Sequence, residues 1–120
     1  MGFWNKLFKS KKRNNPEDYY KTEITETYVR VTHPHRKTEE INWSEIEEIK
    51  LANTDDGPLA IDIWLLLIGN NKGCSIPHGS NGYEDVYDII STYEGFNFEN
   101  VIKSMSCTDN QLFELWKNET

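Results

Sequence analysis

Cys74-Ser75-Ile76-Pro77-His78-Gly79-Ser80-Asn81-Gly82-Tyr83-Glu84-Asp85-Val86-Tyr87 is where the periodicity of this chain changes. Upstream, apolar residues alternate with polar ones or run together, as in half-buried and central strands. Downstream, Tyr83, Val86, Tyr87, Ile90 and Tyr93 recur every three or four residues, the spacing of one helix face, and Gly95 supplies a stop. Strands first and helices last predict an α+β fold: a mostly antiparallel sheet of about five or six strands followed by C-terminal helices.

Working back from the switch, Cys74–Pro77 reads as a short strand after the Asn70-Asn71-Lys72-Gly73 turn. Leu59–Ile68 is the most hydrophobic strand and is expected at the centre. Thr54-Asp55-Asp56-Gly57-Pro58 is a loop signal. Ile49 and Leu51 alternate in Glu48–Asn53, and Ser44-Glu45-Ile46-Glu47 fits a capping box for a single helical turn. Lys37–Trp43 pairs back across the His33-Pro34-His35-Arg36 turn with Thr22–Thr32, a Thr-, Ile-, Tyr- and Val-rich extended stretch. Working forward, Asn97 caps a second helix with Phe98, Val101, Ile102 and Met105 on its inner face. Asp109 caps a third, carrying Leu112, Phe113, Leu115 and Trp116.

The 120 residues suffice for one compact domain, and 37% hydrophobic content is enough for a core. No apolar run approaches the ~20 residues of a membrane helix. Charge divides the chain sharply. Residues 1–13 hold five basic residues and no acid, whereas the remaining 107 hold 8 basic and 20 acidic residues, a net −12. The boundary implies a basic leader and linker over 1–21 and a single α+β domain over 22–117. In the leader, Phe3, Trp4, Leu7 and Phe8 share one helical face with Lys6 and Lys9 beside them, a pattern suited to weak, reversible contact with an anionic membrane surface. Gly2 does not signal myristoylation, because Lys6 stands where Ser or Thr is required.

Two cysteines, Cys74 and Cys107, and the absence of a secretory pattern point to free thiols in a cytoplasmic setting. The net charge of −7 argues against nucleic acid as a partner. No motif names a reaction. Cys74 and His78, four apart, and His33 and His35, two apart, do not form a usual metal knuckle. Neither cysteine carries a nucleophile signature, and no Gly-x-Ser-x-Gly occurs. Gly79–Gly82 lacks the Lys-Ser/Thr of a phosphate loop, and the following Glu84 and Asp85 complement the helix start themselves. The chain is therefore read as a non-enzyme with no cofactor and no metal.

Surface character is what remains. Glu39, Glu40, Glu45, Glu47, Glu48, Asp55, Asp56 and Asp62 cluster on the strand-rich half and are expected to face a basic protein partner, with Trp43 and Trp64 as candidate anchors. Ile41-Asn42-Trp43-Ser44-Glu45-Ile46-Glu47-Glu48-Ile49 resembles the Trp-x-x-Ile-x-x-Ile segment of small bacterial pleckstrin-homology-like domains, in which a strand turns at the Trp and resumes after it. Trp64-Leu65-Leu66-Leu67, Ile76-Pro77, Gly95-Phe96 and Phe113-Glu114-Leu115-Trp116 look like a small, poorly characterised bacterial family, and the size and acidity are similar to those of toxin-immunity proteins. The resemblance spans roughly residues 22–117 and departs from the pleckstrin-like pattern in its two further short helices. It implies an immunity-type inhibitor whose acidic face blocks a basic toxin, and it transfers no catalytic residue. A peripheral membrane or scaffold module anchored by the leader is the alternative expectation.

Overall fold

The computed structural model describes residues 19–54 and 63–119. Among the described residues, seven strands form two antiparallel sheets, where a single sheet of about five or six was expected. The first sheet has the order β1-β2-β3: β1 (Lys21–Ile24), β2 (Tyr28–His33) and β3 (Arg36–Asn42). The second has the order β6-β5-β4-β7: β4 (Glu48–Asn53), β5 (Ile63–Ile68), β6 (Gly73–Pro77) and β7 (Gln111–Lys117). Two helices, α1 (Tyr83–Ile90) and α2 (Phe98–Met105), lie between β6 and β7.

The expected strand over 22–32 is two strands, because Thr25 makes a turn. Its hydroxyl oxygen accepts from the Thr27 and Tyr28 N–H groups at 3.1 and 2.9 Å, which reverses the chain into β2. The expected one-turn helix is present two residues earlier, as a 3-10 turn over Trp43–Glu45. Glu45, not Glu47, reaches back, its carboxylate accepting from the Asn42 N–H at 3.0 Å. Leu59–Asp62 lie outside the described residues, and the described part of the hydrophobic strand, β5, is interior as expected.

The third expected helix is the clearest correction. Residues 111–117 are β7, paired antiparallel with β4 from Asn53↔Gln111 to Glu48↔Lys117. Phe113 and Leu115 point inward, while Leu112 and Glu114 stay exposed, a period of two. The cluster Leu112-Phe113-x-Leu115-Trp116 satisfies either period over so short a span, and the open hydrogen-bonding edge of β4 decides it. Among the described residues the last element is thus a strand, with the helices before it.

Strand alternation builds the core. Ile49 and Leu51 meet Leu67 and Leu65 across the β4–β5 ladder, and Leu67 and Leu65 meet Cys74 and Ile76 across β5–β6. All six are essentially inaccessible, each large aliphatic contributing about 1.5–3 kcal/mol of burial. Val29, Val31 and Ile41 line the other sheet, and Tyr83, Val86 and Ile90 of α1 join the same cluster. The sheets are stitched where β2 and β3 pass β6: the Glu39 carboxylate of β3 accepts from the Ser75 N–H at 2.8 Å, and the Cys74 thiol donates to the Val29 carbonyl of β2 at 3.7 Å.

Helix α1 starts at Gly82, whose φ of 92° lies in the left-handed region. A Cβ there would stand 2.7 Å from Thr22 Cβ and 2.9 Å from Thr22 O, so glycine lets the helix start approach β1. Helix α2 covers the free edge of β7. The Asn97 N–H donates to Leu115 O and Asn100 Nδ2 donates to Glu114 O, both at 2.8 Å, occupying carbonyls an edge strand would expose.

Candidate functional site

Four acids of the expected face make contacts within the fold. Glu40 accepts from Arg30 at 2.9 Å, and Glu48 pairs with Lys50 at 3.4 Å. Glu45 holds both the Asn42 N–H and Lys72, and these contacts keep its carboxyl below the usual range. Glu39 holds the Ser75 N–H. Glu47 is exposed at the start of β4, while Asp55, Asp56 and Asp62 lie outside the described residues. The same holds for the leader residues Phe3, Trp4, Lys6, Leu7, Phe8 and Lys9. Of the eight acids singled out, Glu39, Glu40, Glu45 and Glu48 thus hold contacts within the chain, and Glu47 is exposed.

Free acidity sits elsewhere. Residues 83–119 carry eight acids against two lysines: Glu84, Asp85, Asp88, Glu94, Glu99, Asp109, Glu114 and Glu119. All eight are exposed, and none belongs to any of the ion pairs among the described residues, which involve Glu23, Glu40, Glu45 and Glu48. Charges on this half are thus available to a partner rather than neutralised within the chain.

Apolar surface accompanies them. The sequence places Phe98, Val101, Ile102 and Met105 on the inner face of α2, yet Phe98, Ile102 and Met105 are 53%, 69% and 51% exposed. The helix turns a polar residue inward instead: Ser104 is fully buried, and Val101 is half-buried. The reason is Asn53, a buried polar residue at the end of β4 whose amide needs hydrogen-bond partners. Its Nδ2 donates to the Ser104 and Cys107 carbonyls at 2.9 and 3.2 Å, and Ser104 Oγ donates to Asn53 Oδ1 at 2.6 Å. Satisfying a buried amide outweighs burying one more apolar stripe. Leu112, 57% exposed on β7, adds to the uncovered apolar surface of this half.

An aromatic groove of about 730 Å³ opens beside the C-terminal end of β7. Trp43, Tyr93 and Trp116 line it with Glu94, Lys117 and Glu119. Both indole N–H groups are already used: Trp43 Nε1 donates to Thr25 O at 2.8 Å and Trp116 Nε1 to Glu94 O at 3.1 Å. Tyr93 meets Trp116 edge-on at 5.1 Å. What the groove offers is therefore aromatic surface with two carboxylates and one lysine, a net negative lining suited to a cationic side chain. Residues 93–98 connect it to α2, through Phe96 and Phe98 in ring contact at 4.8 Å. Trp43 was among the expected anchors. Tyr93, Glu94, Trp116 and Glu119 are not among them, and the helix expected from Asp109, carrying Trp116, is the strand β7. The alternation of Phe113-Glu114-Leu115-Trp116 was the available signal.

Other chemistry finds little support in the geometry. Burial pushes the Cys74 thiol up to about 12, with Glu39 and Glu40 adding to the shift, so a thiolate is negligible near neutral pH. The His33 and His35 rings lie 5.9 Å apart, but Cys74 is buried against Val29 and His78 stacks on Tyr83 at 4.9 Å. Among the described residues no three metal-ligating side chains come together, and no helix is long and apolar enough to cross a membrane. Comparison with family models, curated proteins and solved structures yields no match to this chain.

Proposed function

We propose that this chain is a non-catalytic binding domain for a basic protein partner, most specifically an immunity-type inhibitor of a basic toxin. The observation that carries the reading is the groove of Trp43, Tyr93 and Trp116 beside Glu94 and Glu119, set in a half of the molecule whose acids are unpaired. A lysine or arginine of the partner enters the groove, gaining ring-face attraction at one end and carboxylate at the other. The exposed stripe of α2 supplies the apolar contact that a charge-only surface lacks. The pleckstrin-homology-like kinship belongs to the same proposal, supported by two small antiparallel sheets sharing one core, with β7 after the helices as the departure.

The test is capture of basic proteins from native lysate at low salt, using the full chain and two variants. Wild type is expected to retain a basic protein that moderate salt releases and whose toxicity co-expression suppresses. Glu94→Lys with Glu119→Lys, and separately Ile102→Glu, are expected to lose it while keeping wild-type thermal unfolding. Retention by both variants, or a captured protein whose activity the chain leaves untouched, overturns the reading.

A further inference from the structure

A second cleft, of about 230 Å³, lies where the two sheets meet, far in character from the acidic half. One wall carries Val31 and His33 of β2 and Arg36, Lys37 and Glu39 of β3; the other carries Trp64 of β5 and Ser75 of β6, with Tyr20 joining them. Arg36 and Lys37, like Lys21, Lys103 and Lys117, have no ion-pair partner among the described residues, and of these five only Arg36 and Lys37 line this cleft. The one carboxylate in the cleft, Glu39, is held by the Ser75 N–H.

Aromatic packing orders these groups. His33 lies against the Tyr20 ring at 4.4 Å between centroids, and Trp64 meets the same ring edge-on at 5.5 Å. The Arg36 guanidinium stands over Tyr20 at 5.7 Å. The hairpin that presents them is tight, with His33 opposite Arg36 in register and the His35 N–H donating to His33 Nδ1 at 3.0 Å. Desolvation, with Arg36 and His35 nearby, holds the His33 imidazole below its ordinary value, which favours the neutral ring.

The geometry points to this cleft as a binding site for a phosphate monoester, gripped by Arg36 and Lys37 with His33 as a third donor. Two cations of different kinds suit a dianion: the guanidinium fork matches two phosphate oxygens, and the ammonium acts as a point charge. A carboxylate, with one charge, leaves the second cation unanswered. The site is independent of the partner surface on the other half.

The experiment is an amide and side-chain NMR titration of the full chain with sodium phosphate at constant ionic strength, with sodium acetate and sodium chloride alongside. Phosphate is expected to give saturable shifts at His33, Arg36, Lys37 and the Trp64 indole. Arg36→Gln and Lys37→Gln are each expected to weaken it about tenfold while resonances elsewhere stay in place. Absent saturation, equal effects of acetate or chloride, or shifts unchanged in both variants would overturn the assignment. Phosphatidylcholine vesicles carrying phosphatidic acid then locate the source. Retention lost in Arg36→Gln places the monoester on a lipid, and retention equal in wild type and variant places it on a soluble molecule.

Discussion

Asn53 on β4 and Ser104 on α2 form a buried, reciprocal pair: Ser104 Oγ donates to Asn53 Oδ1 at 2.6 Å, and Asn53 Nδ2 returns a bond to Ser104 O at 2.9 Å. It sets the rotation of α2 on the sheet and thereby which residues of that helix meet solvent. Ser104→Ala leaves the Asn53 oxygen without this donor and is expected to cost about 1–3 kcal/mol. Asn53→Ala removes all three bonds of the Asn53 side chain, including the one to Cys107 O, and leaves a cavity, so its cost is larger. Urea unfolding of the singles and the double variant gives the coupling, which should be well above additivity error. Additive losses would show that the pair is not the latch described here.

That pair also explains what the sequence made legible and what it did not. Alternation over Tyr28–Thr32 and Glu48–Asn53, the hydrophobic β5 and the helical period from Tyr83 onward each follow from which side chains must leave water, and all appear in the fold. Helix α2 was placed correctly, down to the Asn97 side chain that accepts from the Asn100 N–H at 2.9 Å, but turned the wrong way. Its rotation depends on a polar partner about fifty positions away, which no local period contains. The strand β7 was lost for the same reason, since only the edge of β4 distinguishes it from a helix. Among charges, spacing showed where acids cluster but not which cation each would meet. Arg30, ten positions before Glu40, reaches it only through the β2–β3 register.

The two left-handed glycines flanking α1 should respond differently to alanine. Gly82 has φ 92° with Thr22 crowding its Cβ position, whereas Gly95 has φ 86° with nothing within 4 Å. Gly95→Ala is expected to cost about 1 kcal/mol from backbone conformation alone. Gly82→Ala should cost clearly more, because the helix start must also move off β1. Comparable melting temperatures for the two variants would contradict the close approach.

Thiol reactivity should split between the two cysteines. Cys74 is buried with its acidity pushed to about 12, while Cys107 is half-exposed beside Asp109 and Gln111. Native protein at mildly alkaline pH is expected to label at Cys107 first, with Cys74 reacting only on unfolding. Peptide mapping after a short iodoacetamide pulse decides it. The same burial gives an alkaline limb to stability. The native state keeps Cys74 protonated where the unfolded chain ionises, so this contribution is present below about 9 and lost progressively toward about 12.

The acid limb is expected to involve Glu45. The Asn42 N–H, first, and Lys72 hold its folded carboxyl below the ordinary 4.5, so its contribution is full above that value. As pH falls through the lowered folded value, the carboxylate protonates, and both the turn contact and the ion pair with Lys72 weaken. Glu45→Gln keeps an oxygen for the Asn42 N–H but cannot titrate. Its urea midpoint should therefore lie below that of wild type at neutral pH and converge on it as the pH falls through the lowered folded value of Glu45. The midpoints measured in parallel at several pH values check this directly. A constant offset between the two proteins across that range would mean that the folded chain gains nothing from the charge on Glu45, and that the 3-10 turn is held by packing of Trp43 alone.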